Sequence, residues 1–322
     1  MKHVRHYQAE MHAKIIAGFK KHNSIMTTLP TGAGKTFIAS IVAKHMRPVI
    51  WIAHRNRLLK QARTSLIEIG LVEGKDFVVQ SIAAKPSTRK FKLAIYDEAA
   101  HEAADTYSYA LDNLKYEKLL GVSATPYRHD ELPLRFEHLI VGTDQLSLIK
   151  QNYLSRPTLY SVRWRKSKIG EMASWLTSNL HLAKSWFVFV RGYKDAQKFY
   201  DKLPCASKVI IRPGDEDDDR TMHSKVIITC DLILEGADYP WVNGMLDLRN
   251  TRSRSLIRQM IGRVIRNTTG KLQRCVVAEP VHIIDTIRMT DVKKAVPFFM
   301  HFLSFKKDRS WNSSALPHRL AC

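Results

Sequence analysis

Leu29-Pro30-Thr31-Gly32-Ala33-Gly34-Lys35-Thr36 is the stretch from which the rest of the chain can be read. A short apolar run, Ser24-Ile25-Met26, precedes it, and an apolar, helix-like run from Phe37 to Ala43 follows. Strand, glycine loop and helix in that order make a cradle for phosphate. Gly32 and Gly34 carry no Cβ, so the backbone can turn tightly and aim N–H groups at an anion. The helix that opens here adds the positive end of its dipole. Lys35 is then placed to reach β- and γ-phosphates, and the Thr36 hydroxyl to hold Mg²⁺. Thr31, Gly32, Ala33 and Gly34 supply the backbone of the cradle. The pattern is that of a P-loop, set against the plainer reading of a glycine-rich turn that binds nothing.

The bulk composition limits what such a loop can belong to. With 322 residues and an apolar fraction of 45%, the chain can pack two ordinary globular domains. No uninterrupted apolar run approaches the roughly 18 residues of a membrane span. The start, Met1-Lys2-His3-Val4-Arg5-His6, has no apolar segment of a secretory leader. A cytoplasmic protein without a membrane partner is therefore expected. Cys205, Cys230, Cys275 and Cys322 are scattered and form no CxxC pair, so neither a zinc site nor a disulfide framework is indicated. Lys and Arg number 51 against 30 acids, a net charge of +21. Arg249, Arg252, Arg254, Arg258, Arg263, Arg266, Lys271 and Arg274 fall in one run with no acid among them. Such an excess speeds encounter with polyanions, and beside a nucleotide loop it points to nucleic acid.

Taken in order, Arg5 and Gln8 lie at the start of a helix-like stretch that reaches about Lys20. Gln8 has both a donor and an acceptor for an adenine edge, though a surface Gln at a helix end is the plainer reading. Pro48 to Ala53 is a continuous apolar run, the signature of a buried parallel strand. His54, Arg55 and Arg57 follow at its end, where ligands bind in open α/β sheets, and they suit a phosphate backbone. A second strand, Phe91 to Tyr96, delivers Asp97-Glu98. Asp97 would hold the Mg²⁺ of a bound nucleotide, and Glu98 would polarise the attacking water. A third, Leu119 to Val122, ends in Ser123-Ala124-Thr125-Pro126; Ser123 and Thr125 are placed to hydrogen-bond the carboxylate loop. Strand and helix alternate up to about Val141, which argues a parallel doubly wound sheet.

A second α/β cycle follows. Ser185–Val190, Lys208–Ile211, Lys225–Thr229 and Gly244–Leu248 read as strands, with a helix over Lys194–Leu203. The acidic loop Asp215–Asp219 reads as a solvated loop. Gly236 permits a tight turn, and Asp238 can accept bonds from a ribose. Ser255–Arg266 reads as a helix carrying Gln259, Gly262, Arg263 and Arg266. Arg263 and Arg266, three apart, would share a face and clamp a γ-phosphate; the alternative is a basic helix lying on nucleic acid. The domains are read as 1–145 and 146–285, followed by a basic, aromatic extension over 286–322.

Together these stretches resemble superfamily 2 helicases and translocases, the broad DEAD/DEAH-box group, over roughly residues 4 to 280. Arg5-His6-Tyr7-Gln8 resembles the adenine-reading Q-type motif, and Leu29–Thr36 resembles motif I. Ala53-His54-Arg55 resembles motif Ia, Asp97-Glu98 motif II and Ser123–Pro126 motif III. Phe187–Val190, Leu234–Pro240 and Gln259–Arg266 resemble motifs IV, V and VI. Ala53-His54-Arg55, Ala124–Arg128 and Cys230–Pro240 are most similar to the RadD, restriction-type (ResIII) and XPB-like DNA branch. The size fits a compact viral version. One departure stands in motif II, where Ala100 occupies the place of the usual histidine and His101 follows.

The resemblance implies two tandem RecA-like domains, each a mainly parallel sheet flanked by helices, with ATP and Mg²⁺ between them. It implies Lys35, Asp97, Glu98, Gln259, Arg263 and Arg266 as catalytic. Nucleotide contacts would come from Arg5, Gln8, Thr31–Thr36, Gly236 and Asp238. Nucleic-acid contacts would come from His54, Arg55, Arg57 and Thr229. Coupling would run through His101, Ser123 and Thr125. The implied activity is ATP-dependent movement, as a monomer, on single-stranded or branched DNA. RNA as the track, or a binding protein with a degenerate motor, are the competing readings.

Overall fold

The computed structural model describes residues 4–99, 105–124, 136–163, 169–211, 223–230, 239–249, 254–266 and 275–281. The chain divides into two compact units, the first ending at Asp144 and the second beginning at Gln145.

In the first unit, helix α1 (His6–Gly18) precedes β1 (Ser24–Thr28), and the glycine loop joins β1 to α2 (Lys35–His45). Next come β2 (Val49–Ala53), α3 (Asn56–Glu68), β3 (Phe77–Ser81), β4 (Lys90–Asp97) and α4 (Asp105–Asn113). β5 (Lys115–Ser123) and β6 (His138–Val141) complete a sheet of order β3-β2-β4-β5-β1-β6. Its strand pairs all run parallel. β2 is buried at all five positions, the condition of a strand covered on both faces. Tyr7, Met11 and Ile15 recur every fourth residue of α1 and are buried, so the helix docks by one apolar stripe.

The second unit repeats the plan. After α5 (Gln145–Lys150) come β7 (Pro157–Arg163), α6 (Ile169–Asn179), β8 (Trp186–Phe189) and α7 (Tyr193–Lys202). β9 (Lys208–Ile211), β10 (Val226–Thr229), β11 (Gly244–Asp247), α8 (Arg254–Val264) and β12 (Cys275–Val281) follow. The sheet order is β7-β12-β11-β8-β10-β9, again with parallel pairs. Its core is built on Trp186, Val188, Phe199, Ile228 and Leu246. The Trp186 indole donates to the Leu180 carbonyl at 3.3 Å, which satisfies its one polar atom inside that core.

The α/β class with two parallel sheets is thus the one expected, with four further strands at β3, β6, β7 and β12. The helix expected over Ser255–Arg266 is shorter. It ends at Val264, because the chain beyond turns to pair with the segment before β7. The Ile265 carbonyl accepts from Ser155 N at 2.8 Å, and Arg266 bridges Leu154 in antiparallel sense. Arg263 and Arg266 therefore do not share a helix face. The acidic loop Asp215–Asp219 and the extension 286–322 lie outside the described residues.

Candidate functional site

In the first sheet β4, β5 and β1 are neighbours, so three chain segments leave the same edge side by side. The register pairs Thr28 with Ser123 and Val122 with Asp97. Leu29 N donates to the Ser123 carbonyl at 3.1 Å, extending that pairing into the glycine loop. Gly32 and Gly34 both take the left-handed conformation, at φ of 86° and 80°. Gly34 is the residue before α2, so the turn sets the helix axis at the loop. A Cβ on Gly34 would lie 2.8 Å from Gln8 Nε2, a close approach that only glycine permits.

Lys35 opens α2 with its Nζ 3.8 Å from Glu98 Oε1. Glu98 itself holds a φ of 54°, a conformation that costs a side-chain-bearing residue about 1–2 kcal/mol. Strain of this kind gathers where a side chain must be aimed. Ser123 Oγ donates to the other carboxylate oxygen, Glu98 Oε2, at 3.4 Å. Glu98 is thus held between a lysine on one oxygen and a hydroxyl on the other.

Asp97 is buried. Its Oδ1 accepts the Glu98 backbone N–H at 3.1 Å, whereas Oδ2 is enclosed with no hydrogen-bond partner. The Trp51 indole N–H favours the anion from nearby but makes no hydrogen bond of standard geometry. Burial first, and the Glu98 charge second, push the carboxyl up to about 7, against a weaker pull from Lys35. A buried, unmatched carboxylate oxygen beside a second carboxylate suits a hard, oxygen-seeking cation, and Mg²⁺ fits it.

Helix α1 grips the loop from its own side. Tyr7 Oη donates to the Ala33 carbonyl at 2.8 Å. Gln8 Nε2 donates to the same carbonyl at 3.3 Å, and Gln8 Oε1 accepts from Arg5 N at 3.0 Å. Both ends of the Gln8 amide are therefore engaged within the chain. Tyr7 had no role in the sequence reading. Beyond its place in the Arg5–Gln8 stretch, its signal was a phenol at a core position of the helix just upstream of the loop.

Elsewhere on this sheet His54 and Arg55 follow β2, with Arg55 Nε donating to His54 Nε2 at 3.2 Å. His54, Arg55 and Arg57 are all half-buried. In the second unit Thr229 ends β10 and is buried, its carbonyl accepting from Val190 N at 2.9 Å. Gln259 and Arg263 are buried four residues apart on α8, so they are the pair that shares a face. Arg266 is half-buried just past the helix end. Asp247, which the sequence reading passed over, is buried at the end of β11, and burial pushes its carboxyl up to about 6. His101, Thr125, Gly236 and Asp238 lie outside the described residues, as does Ala100.

Known proteins resemble this chain in sequence and in fold. Residues 1–80 match the ResIII family, described as the res subunit of type III restriction enzymes. The chain is 26% identical to IRC3 of Saccharomyces cerevisiae, named an ATP-dependent helicase, over 83% of this chain and 49% of the relative. It is 24% identical to irc3 of Schizosaccharomyces pombe, named a mitochondrial ATP-dependent helicase, over 83% of this chain and 56% of the relative. The chain thus spans about half the length of these relatives, and the second name does not point to the cytoplasm. Among solved structures, the Type ISP restriction-modification enzyme LlaBIII bound to DNA aligns with a TM-score of 0.63 at 15% identity. That alignment covers 88% of this chain and 28% of LlaBIII. Saccharomyces cerevisiae Dbp5 bound to RNA and ADP BeF3 aligns with a TM-score of 0.59 at 16% identity, over 93% of this chain and 92% of Dbp5. Among the described residues no helix is long and apolar enough to cross a membrane. The motif order, the two parallel sheets and these likenesses together support a superfamily 2 helicase of the ResIII type.

Proposed function

We propose that this protein is an ATP-driven motor on nucleic acid, hydrolysing ATP to ADP and phosphate to move on, unwind or remodel single-stranded or branched DNA. The observation that carries the reading is the grouping of Lys35, Glu98 and the unmatched Asp97 oxygen beside a left-handed glycine loop. In this account the loop N–H groups and Lys35 bind the β- and γ-phosphates. Asp97 and Thr36 hold the magnesium ion, which supplies positive charge to the phosphate oxygens. Glu98 orients a water and takes its proton as the oxygen attacks the γ-phosphorus and the bond to the bridging oxygen breaks. Ser123 keeps Glu98 from rotating away. Gln259, Arg263 and Arg266 add donors and positive charge to the transferred phosphoryl group. Arg5 and Gln8 attend the base, and Gly236 and Asp238 the ribose. His54, Arg55, Arg57 and Thr229 contact the strand backbone, and His101, Ser123 and Thr125 couple strand to nucleotide. Two proteins of the same fold support the choice of track in opposite directions, one bound to DNA and one to RNA. The restriction-type family match favours DNA.

The test is a panel of ATP hydrolysis rates for the purified chain with single-stranded, forked and duplex DNA and with single-stranded RNA. DNA strands or forks are expected to stimulate most, and Lys35→Ala to abolish turnover. Stimulation by RNA alone would move the reading to an RNA motor. Rates that ignore every nucleic acid and the loss of Lys35 would remove the motor reading altogether.

A further inference from the structure

In the first unit α2 and α3 pack on each other, and their first turns stand at different parts of the site. α2 opens on Lys35 and Thr36 of the glycine loop, whereas α3 opens at Arg55 and carries Arg57. Two polar contacts fasten one helix to the other. In the interior Ser40 of α2 and Ser65 of α3 are both buried, and their hydroxyl oxygens lie 2.9 Å apart. At the far end Lys44 Nζ donates to the Ile69 carbonyl at 3.0 Å. Ser40 Oγ also lies 2.9 Å from the Thr36 carbonyl, one turn back along α2. A carbonyl can only accept, and Ser40 has one proton to give. Ser40 therefore donates to Thr36, and Ser65 donates to Ser40. A chain of two hydrogen bonds runs from the middle of α3 to the backbone of Thr36.

This pair is the polar exception on both helices. The other buried residues are Ile38, Ala39, Val42 and Ala43 on α2, and Leu58, Leu59, Ala62 and Leu66 on α3. Alanine at both serine positions would continue those apolar faces, and a buried hydroxyl pair returns little more than its hydration is worth. What the pair adds is direction. Apolar contact is non-directional, so two helices joined by it alone can shear past one another in small steps. A buried hydrogen bond that satisfies both partners holds them in one register.

We propose that the Ser40–Ser65 bond couples strand to nucleotide: it locks α3 to α2, so that a strand held at Arg55 and Arg57 restrains the helix that carries Lys35 and Thr36. Both serines are positioning residues that act through the helices they join. The proposal rests on the motor reading and adds to it a route, inside the first unit, by which the track speeds hydrolysis. Ser65→Ala isolates the bond, because Ser40 keeps its Thr36 acceptor and no buried polar group is left unmatched.

The experiment measures ATP hydrolysis by the full chain over a range of ATP concentrations, with and without saturating single-stranded oligothymidylate or oligouridylate. Strand binding by fluorescence anisotropy and thermal melting are measured on each protein. Wild type is compared with Ser65→Ala, with Ser65→Thr, which keeps the hydroxyl, with Ser40→Ala and with the double alanine variant. In Ser65→Ala the strand-saturated kcat should fall about fivefold, the worth of one buried hydrogen bond, while the strand-free kcat, the KM for ATP and the strand affinity change by less than about twofold. Ser65→Thr should keep the stimulation. The double variant should lose no more stimulation than Ser65→Ala, since both changes remove the same bond. Full stimulation in Ser65→Ala, while wild type is stimulated, would overturn the coupling alone. An equal fall in the strand-free kcat would make Ser65 merely structural and also overturn it, as would multiplying losses in the double variant. Wild type that neither oligonucleotide stimulates would overturn the motor reading and the coupling together.

Discussion

At Asp97, burial and a neighbouring carboxylate outweigh the nearby lysine, and the group titrates at about 7. In the unfolded chain the same acid titrates near about 4. Between these values the folded protein binds more protons than the unfolded one. The contribution of Asp97 to stability is therefore greatest in acid and falls as pH rises from about 4 to about 7. Asp97→Asn removes that penalty. In urea titrations at pH 8 the variant should be at least as stable as wild type, while its Mg-ATP binding is lost. A variant less stable than wild type at pH 8 would mean that Asp97 is a structural anion rather than a cation site. Since the bound cation needs the anionic form, wild-type affinity for Mg-ATP should rise with pH up to about 7 and then level, with proton release on binding seen by calorimetry in two buffers. Glu98 carries a different burden, a strained backbone that fixes the carboxylate between Lys35 and Ser123.

Elements differ in how plainly the sequence announces them. β2, β8, β10 and β11 are buried at every position; β2 and β8 show in the sequence as unbroken apolar runs, and β10 and β11 as apolar runs that close on Thr229 and Asp247. β3 was harder to see, because four of its five residues are only half-buried and follow no strict alternation. In β12 Glu279 and Pro280 interrupt the apolar pattern, which demotes such a run in any strand reading. The end of α8 was not legible, because a distant segment at 154–155 competes for the chain after Val264. Site residues were legible where they close a strand or open a helix, as Lys35, Asp97, Glu98 and Ser123 do. The Tyr7 bond to Ala33 spans 26 residues, so it has no local pattern. The packing of β11 gives a test at this scale. A Cβ on Gly244 would lie 2.6 Å from Trp186 Cδ2 and 2.7 Å from Ala183 Cβ. Gly244→Ala should cost about 1–3 kcal/mol of stability, read by denaturant titration, and should leave Mg-ATP binding at the first unit intact. A melting curve equal to that of wild type would show that the β11–Trp186 contact has room to spare.

Over the whole molecule, one architecture appears twice: a parallel sheet of six strands with polar and charged groups gathered at strand ends. The first unit holds a phosphate loop with its lysine and two carboxylates. The second holds a buried glutamine and arginine on α8. A net charge of +21 suits a protein that works on a polyanion, and it makes any such binding fall with added salt. The central claim is that Glu98, held by Lys35 and Ser123, activates water for ATP hydrolysis in response to a nucleic-acid strand. It is tested most directly by steady-state ATP hydrolysis of wild type and Glu98→Gln, with and without single-stranded DNA. Wild type should be stimulated by the strand, and Glu98→Gln should bind ATP normally yet hydrolyse it slower by about a hundredfold or more. Hydrolysis by Glu98→Gln at the wild-type rate, with the same response to DNA, would contradict the account.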